Sequence, residues 1–446
     1  MQTQTIAIFD IGKTNKKVFL FDEDYKIRVE KSIQLPEIKD EDGFPCEDIH
    51  ALTKWVKDSF NELLSLSEYE IKAINISAHG ASFVHIDEKG NPVAPLYNYL
   101  KPYPEELKKK FYDTYGGENE FSRITASPVL GHLNSGMQLY WLKHERPEVF
   151  KQIKYSLHLP EYISYLFSGK PTSGITSIGC HTNLWDFTKN NYHEWVYQEG
   201  ILEKLAPIIS STEVTNFSYP PITVNVGIGL HDSSAALIPY LSCFSESFVL
   251  LSTGTWCISL NPFNHTPLTE EELKKDCLCF LTFASNPVKA SRLFAGYEHE
   301  KEIKKLAEHF HTSEDYYKNI SYQPELVKRF ATHCYQPEDL AGYASYEEAY
   351  TQFIRSLVEQ QVTSTNLVMH NSQVTRIFVD GGFSHNPIYM NLLSAAYPAT
   401  EVYAASVAQA SATGAAMAIH KHWNKNPPKA DMIDLKFFSS KESQLL

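Results

Sequence analysis

The feature that most constrains the fold is the segment Ile6–Asp22, which reads as a strand, a tight turn and a second strand. The runs on both sides of the turn are short, apolar and rich in β-formers, so the segment predicts a buried hairpin. Gly12 lets the backbone turn sharply and leaves its N–H groups open to an anion. The polar residues around this turn are Asp10, Lys13, Thr14, Asn15 and Lys17.

These turn residues suit the phosphates of a nucleotide triphosphate. Thr14 and Asn15 are short polar donors, and Lys17 adds a positive charge. Asp10, at the end of the first strand, can hold a magnesium ion through water. Asp-x-Gly hairpins are also common as plain structural turns, so a turn without a ligand is the alternative.

Three later segments extend the pattern. Leu250–Leu260 is again a strand, a Gly-Thr turn and a strand, Gly227–Leu237 leads through an aspartate into a helix, and Ile377–Leu393 is a buried strand, a glycine turn and a helix. In this order, the four motifs resemble the FGGY family of carbohydrate kinases, within the actin and hexokinase superfamily. The resemblance runs from residue 6 to residue 419.

This resemblance implies an α/β fold made of two duplicated ribonuclease H-like (actin-like ATPase) domains with a cleft between them, where ligands usually bind. The stretch Ser210–Pro221 is polar and ends in two prolines, which is typical of a boundary. We therefore predict an N-terminal domain over residues 1–221 and a C-terminal domain over residues 222–446.

The composition argues against several classes of partner. With 446 residues, 43% of them hydrophobic, the chain is long enough for two or three cores. Its formal net charge of -13 argues against nucleic-acid binding. No apolar run approaches the roughly 18 residues that span a bilayer, and no signal pattern precedes the first strand, so we expect no membrane contact and a cytoplasmic location. The scattered cysteines are expected to be reduced thiols.

Asp232 is the predicted catalytic base. A carboxylate beside a sugar hydroxyl can accept its proton as the oxygen attacks the γ-phosphate. The sequence Gly229-Leu-His-Asp places Asp232 at the start of a helix, where the ionised form is favoured. From the segment alone, a helix N-cap is an equal alternative. The resemblance implies the catalytic role, and Asp232 joins Asp10 as a predicted Mg²⁺ contact.

The resemblance also implies the sugar contacts. In the family, the residue before the catalytic aspartate contacts the sugar, which here is His231. The loop with His79 and Gly80 lines the sugar pocket, and a glycine at position 80 lets the sugar approach the backbone closely. A packed histidine and a plain turn are the alternatives at these two places.

The remaining ATP contacts fall in the second half. Thr255 should face the β- and γ-phosphates, with Gly254 at the turn. Gly381 and Gly382 should carry the adenosine, with Asn386 opening the following helix. The form Gly-Thr-Trp is more similar to kinases of rhamnulose or fuculose than to glycerol kinases. Trp256 as a core residue is the alternative. Gly414 is expected to be structural, within a small-residue helix.

The sequence also departs from the family. Lys13 stands where a threonine is usual and could reach the phosphates or extend into water. The common Trp-x-Asp-x-Arg stretch of the sugar clamp is here Tyr97–Tyr103, without its arginine. The leading hypothesis is an ATP- and Mg²⁺-dependent kinase that acts on a 6-deoxyketohexose. A pentulose is the second candidate for the substrate. A non-catalytic actin-like nucleotide-binding protein and a degenerate kinase are the alternatives, and a homodimer is left open.

Overall fold

The computed structural model describes residues 2–219, 222–329, 335–427 and 432–439, and within them two mixed sheets of seven strands form the frame of the molecule. The strands are β1 (Thr3–Ile11), β2 (Lys16–Asp22), β3 (Ile27–Ile33), β4 (Glu37–Lys39), β5 (Pro45–Glu47), β6 (Tyr69–Ala78), β7 (Phe83–Ile86), β8 (Tyr155–His158), β9 (Ser173–Gly174), β10 (Trp185–Asp186), β11 (Asn191–Tyr192), β12 (Ile208–Ile209), β13 (Val214–Tyr219), β14 (Ile222–Gly227), β15 (Leu230–His231), β16 (Phe248–Thr253), β17 (Cys257–Asn261), β18 (Cys277–Leu281), β19 (Pro287–Leu293), β20 (Arg376–Gly381), β21 (Glu401–Ser406) and β22 (Asp434–Phe438).

The α-helices lie between and around these sheets. They are α1 (Ile49–Leu64), α2 (Glu105–Thr114), α3 (Glu118–Thr125), α4 (Ser135–Glu145), α5 (Pro147–Gln152), α6 (Leu159–Ser168), α7 (Ile175–Ile178), α8 (Glu194–Gln198), α9 (Asp232–Cys243), α10 (Glu270–Lys274), α11 (Ala295–Phe310), α12 (Pro324–Arg329), α13 (Tyr346–Met369), α14 (Pro387–Ala396) and α15 (Ala410–Ala418). Short 3-10 helices cover Gly131–Leu133, Ile201–Lys204, Tyr316–Asn319, Leu340–Gly342, Gly382–His385 and His420–His422.

The two large sheets share one plan. In the first, the antiparallel strands β1, β2 and β3 lie side by side, and β1 pairs in parallel with β6. In the second, β16, β17 and β19 form the antiparallel set, and β16 pairs in parallel with β20. Both predicted phosphate hairpins are therefore present, each beside a parallel strand, and the predicted duplicated α/β fold is confirmed.

The predicted domain boundary falls within the first sheet. Residues 220–221 lie outside the described residues, but β13 and β14 on either side of them pair antiparallel. Strand β14 then pairs in parallel with β6, and so does β15. The first sheet thus extends beyond residue 221, because hydrogen bonds to β6 decide where β14 and β15 lie.

Helix α9 connects the two sheets. Its residues Ala235 and Ile238 pack in one hydrophobic cluster with β1, whereas Leu237 and Tyr240 pack in another with β16. The residues of α9 therefore contribute to the cores of both halves, and its first residue lies between them.

Helix α15 packs against α9 at very short range. A Cβ atom added to Gly414 would come within 1.8 Å of the carbonyl oxygen of Ala235, so only glycine fits there. Pro239 lies inside α9 and lacks the N–H that would otherwise bond that carbonyl. The expected structural role of Gly414 follows from this contact.

A helical region extends the first half between β7 and β13. Its own core contains Phe83, Phe111, Tyr140 and Trp195, all of them buried.

Among the described residues, no helix combines the length and the apolar character that crossing a lipid bilayer requires.

Candidate active site

The ends of three parallel strands bring the predicted acidic residues together. Asp10 of β1 is the register partner of Ser77 in β6, and Ser77 is in turn the partner of Leu230 in β15. The carboxyl ends of β1, β6 and β15 therefore meet at one edge, which is where ligands bind in open α/β sheets. Asp10 and Asp232 meet at this edge although they are far apart in sequence.

The electrostatics of Asp10 reflect this proximity. Burial and then the nearby Asp232 charge raise the pKa of Asp10 to about 6. The hydroxyl of Ser411, at the start of α15, donates to Asp10 Oδ2 over 3.1 Å and acts in the opposite direction, as does the charge of Lys17. A buried carboxyl group whose pKa is raised beside a second acidic group forms a place where a cation is stabilised.

Asp232 is the first residue of α9, as predicted. His231 precedes it as the N-cap residue with an extended backbone, so the alternative that Asp232 is itself the N-cap is wrong. Asp232 Oδ1 accepts a hydrogen bond from the backbone N–H of Ser233 over 2.6 Å. Its side chain is 37% exposed, so a ligand can reach the carboxylate.

His231 is a buried neighbour of this carboxylate. Its Nε2 atom lies 3.2 Å from Asp232 Oδ1 and 3.3 Å from the sulfur of Cys180. Burial lowers the pKa of His231, and the Asp232 charge only partly offsets this effect, so the ring is neutral near pH 7. A Cβ atom on Gly80 would come within 2.9 Å of the ring, and this contact is a reason for glycine that the sequence did not suggest.

His79 belongs to a buried ionic network that the sequence analysis missed. Its Nε2 lies 3.0 Å from Glu47 Oε1, and Lys16 Nζ lies 2.7 Å from Glu47 Oε2. Burial alone would raise the pKa of Glu47, but the hydrogen bond and charge of His79 and the charges of Lys13 and Lys16 hold it well below its usual value. Glu47 therefore stays ionised and fixes the orientation of His79.

The first hairpin turn is present, but the N–H of Gly12 is not open to an anion as expected, because it donates to the carbonyl of Asn15 over 2.9 Å and closes the turn. Thr14 and Asn15 are exposed. Lys13 Nζ lies between two carboxylates, 3.2 Å from Glu47 and 3.4 Å from Glu37.

Lys17 projects from β2 opposite Asp10, its register partner. Its Nζ donates to the side chain of Gln409, the N-cap residue of α15, over 3.3 Å. Lys17 thus connects the first hairpin to the helix whose first turn holds Ser411.

The segment Tyr97–Tyr103 divides into two parts. Lys101, at the place of the arginine of the clamp, donates to Asp40 over 2.6 Å and to Asp42 over 2.7 Å, on the β4–β5 hairpin and its turn. The ring of Tyr99 lies beside His79, with 6.0 Å between ring centroids, and 5.7 Å from Lys13 Nζ. Burial, followed by the charges of Glu47 and Asp232, raises the pKa of Tyr99.

The second hairpin and the glycine turn lie side by side. Gly381 has a φ of +90°, and a Cβ atom there would come within 2.1 Å of the carbonyl oxygen of Thr253. The turn of the second hairpin, between β16 and β17, is closed by a hydrogen bond of 2.9 Å from the N–H of Gly254 to the carbonyl of Trp256. Trp256 is 41% exposed, so its assignment to the core is wrong.

A cavity of about 620 Å³ opens beside this second hairpin. Its lining residues are Thr253, Gly254, Thr255, Gly296, His299, Glu300, Tyr317, Lys318, Gly382, Phe383, His385, Asn386 and Pro387. Asn386 caps α14, since its side chain accepts from the N–H groups of Ile388 and Tyr389, and it also donates to Tyr350 over 2.8 Å. Four of the predicted ATP contacts, Gly254, Thr255, Gly382 and Asn386, therefore line one cavity.

Comparisons with known proteins agree with this architecture. Residues 5–238 match the N-terminal domain of the FGGY family of carbohydrate kinases, and residues 245–427 match the carbohydrate kinase FGGY C-terminal domain. The chain is 24% identical over 247 residues to a rhamnulokinase from Halalkalibacterium halodurans, a match that covers 51% of either protein. The chain thus spans about half the length of this curated relative.

Solved structures are similar over nearly the whole chain. A carbohydrate kinase from Novosphingobium aromaticivorans has a TM-score of 0.79 and 23% identity, covering 98% of this chain and 95% of that one. A ligand-bound xylulose kinase from Lactobacillus acidophilus has a TM-score of 0.81 and 16% identity, covering 99% and 95%. These structures share the fold, and the two matched domains show that the chain belongs to the FGGY family of carbohydrate kinases.

Proposed function

We propose that this protein transfers the γ-phosphoryl group of ATP to a hydroxyl of a ketose. The observation that carries the proposal is the half-exposed carboxylate of Asp232 at the first position of α9, within the electrostatic reach of Asp10. In this step Asp232 accepts the proton of the sugar hydroxyl, and the sugar oxygen forms the new bond to phosphorus. The bond between the γ-phosphorus and the bridging oxygen breaks, and ADP leaves with that electron pair.

Asp10 and Asp232 fit a Mg²⁺ ion. Mg²⁺ is usually bound through one or two carboxylates together with substrate phosphates and water. Within the described ranges no group of three or more His, Cys, Asp or Glu side chains could hold a metal, so phosphate and water oxygens would have to complete the coordination. When bound, the ion would neutralise phosphate charge during transfer. Lys17 supports the same site through its contact with Gln409 and its charge near Asp10.

The sugar end lies next to His79, His231 and Tyr99. Neutral His231 offers a hydrogen bond beside the base, and Glu47 keeps His79 in one orientation. We propose a 6-deoxyketohexose as the substrate, on the strength of Gly254-Thr255-Trp256 and of the relatives named rhamnulokinase. A pentulose is the second candidate, because a xylulose kinase shares the fold along the whole chain.

The test is a panel of sugars. ADP release is measured with ATP and Mg²⁺ across L-rhamnulose, L-fuculose, xylulose, ribulose and glycerol. We expect the highest kcat/KM with a 6-deoxyketohexose. A preference for a pentulose would replace the substrate but keep the reaction, whereas no sugar-dependent ADP release would favour the non-catalytic nucleotide-binding protein.

Replacing the base tests the mechanism. Asp232→Asn should lower turnover by roughly two or more decades while nucleotide binding persists, as expected on loss of a general base. Asp58→Asn, which removes an exposed carboxylate on α1, is the matched control and should leave turnover unchanged. If Asp232→Asn keeps most of the wild-type rate, another group is the base.

A further inference from the structure

Arg292 extends from the second sheet towards the first half of the molecule. It lies near the end of β19 and is the register partner of Ile258 in β17. Ile258 and Ala290 belong to the hydrophobic cluster that also contains Cys180 of the first half. Opposite residues of an antiparallel pair, and alternate residues of one strand, share a face. Arg292 therefore lies on the face of the second sheet that looks towards the first half.

The guanidinium group of Arg292 is held in one orientation. Its Nε donates to Asp276 Oδ2 over 3.0 Å and its Nη2 to Asp276 Oδ1 over 2.6 Å, which is the two-pronged geometry that fixes an arginine plane. The group also lies over the ring of Trp256, 5.3 Å from its centroid. Trp256 follows directly after Gly254 and Thr255, so the guanidinium lies next to the second phosphate hairpin.

One nitrogen of this guanidinium has no hydrogen-bond partner among the described residues. The side chain is only 10% exposed, yet Nη1 makes no hydrogen bond to any other residue in the described part of the chain. An arginine that is anchored at two nitrogens and has a third available is prepared for an anionic ligand, because its fork matches phosphate oxygens.

The charge of Arg292 reaches Cys180 and His181 in the first half. It is a cause of the lowered pKa of His181, second to burial, and it opposes the raised pKa of Cys180. Cys180 lies 3.3 Å from the ring of His231, directly before the catalytic aspartate. Arg292 is thus a positive group on the second half that faces the acidic edge of the first.

We propose that Arg292 is a further catalytic residue, which binds the γ-phosphoryl group during its transfer from ATP to the sugar oxygen, as ADP leaves. This inference rests on the proposed kinase function. As the bond to the bridging oxygen breaks, negative charge is shared among the phosphoryl oxygens and the leaving ADP, and a pre-oriented cation stabilises that distribution. Asp276 is the positioning residue, because it fixes the guanidinium plane without contacting the phosphoryl group.

Turnover provides the first test. Arg292→Met should lower kcat about 100-fold or more, with little change in KM for the ketose, since comparable electrostatic groups contribute that much. Asp276→Asn should give a smaller loss of kcat, and added guanidinium ion should restore part of the activity of Arg292→Ala but none of that of Asp232→Asn. Arg376→Met is the matched control and should leave kcat unchanged, because Arg376 is likewise paired with carboxylates, Glu401 and Glu246, but lies at the opposite end of the sheet.

A binding measurement separates this inference from the identity of the reaction. Calorimetry with ADP, Mg²⁺ and aluminium fluoride, which imitates a transferring phosphoryl group, needs no sugar turnover. We expect Arg292→Met to weaken this binding at least tenfold relative to the wild type, while the affinity for ADP alone stays the same. Equal binding of the fluoride complex by both proteins, or by neither, would overturn the inference. A weakened complex in a protein that phosphorylates no sugar would leave the inference standing and reject the proposed function.

Discussion

At the scale of single residues, burial changes the pKa of a carboxyl group when no positive charge lies beside it, and Glu161 is the clearest case. This side chain is completely buried in the first turn of α6, and Oε1 accepts from the N–H of Gly174 over 3.1 Å. Its Oε2 has no hydrogen-bond partner in the part of the chain that is described. Burial raises the pKa of Glu161 to about 8, so the folded protein keeps this carboxyl protonated near pH 7.

The protonation of Glu161 predicts a pH-dependent stability. An unfolded glutamate ionises near its ordinary pKa of 4.5, whereas the folded one holds its proton up to a pKa of about 8. Between these two values the folded state binds more protons, so stability falls as the pH rises, by about 1.4 kcal/mol per pH unit.

Urea titrations from pH 5 to pH 9 check this prediction. Glu161→Gln, which cannot ionise, should lose less stability than the wild type as the pH rises to about 8, and beyond that pH the difference should stay constant. Glu148→Gln, at an exposed position of α5, is the control and should follow the wild type. Parallel profiles for the wild type and Glu161→Gln would contradict the assignment.

At the scale of elements, the contact between α9 and α15 couples the acidic edge to the core. Helix α9 begins with Asp232, and α15 holds Ser411 against Asp10. Both helices approach so closely at Gly414 that no side chain fits between them. The positions of the two acidic groups therefore depend on a packing contact that itself carries no chemistry.

Gly414→Val should disrupt this helix pair. Because even a Cβ atom would overlap the carbonyl of Ala235, the backbones must separate, which should lower the free energy of unfolding by about 1–3 kcal/mol or more. Turnover should fall as well, since Asp10 and Asp232 would move apart. Gly342→Ala is the control, because its added methyl meets only ordinary contacts at 3.5 Å or beyond. A variant at 414 that melts with the wild type would show that the helices can separate without cost.

At the scale of the whole molecule, the turns that we propose to bind phosphate are divided between two halves. The turn with Gly12 belongs to the first sheet, and the turns with Gly254 and Gly381 belong to the second. Both must converge on one triphosphate, so we expect the halves to close on their ligands and exclude water from the reaction.

Small-angle scattering measures this closure. The radius of gyration should decrease when the preferred ketose and a non-hydrolysable ATP analogue are both present, and less with either ligand alone. Asp232→Asn should still close, because the substitution removes proton acceptance rather than binding. An unchanged radius under saturating ligands, in a protein that turns over, would rule out closure as a requirement.

Local patterns predicted much of the fold and part of the candidate site. Both hairpins, the helix that begins at Asp232, the glycine turn at Gly381 and the cap at Asn386 follow from short-range backbone preferences, and the structure contains all of them. Turns, caps and strand runs are decided by residues within a few positions of one another, so they can be read from one sequence. The roles of these residues in binding ATP, Mg²⁺ and sugar stay predictions.

The tertiary structure decided what depends on distant partners. Glu47 reveals its function only beside His79 and Lys16, Gly80 is explained by the ring of His231, and Arg292 by Asp276 and Trp256. The extension of the first sheet beyond residue 221 follows from hydrogen bonds to β6, which the two prolines could not indicate. Burial, ion pairing and sheet pairing are properties of groups brought together by folding, so a pattern along the chain carries little information about them.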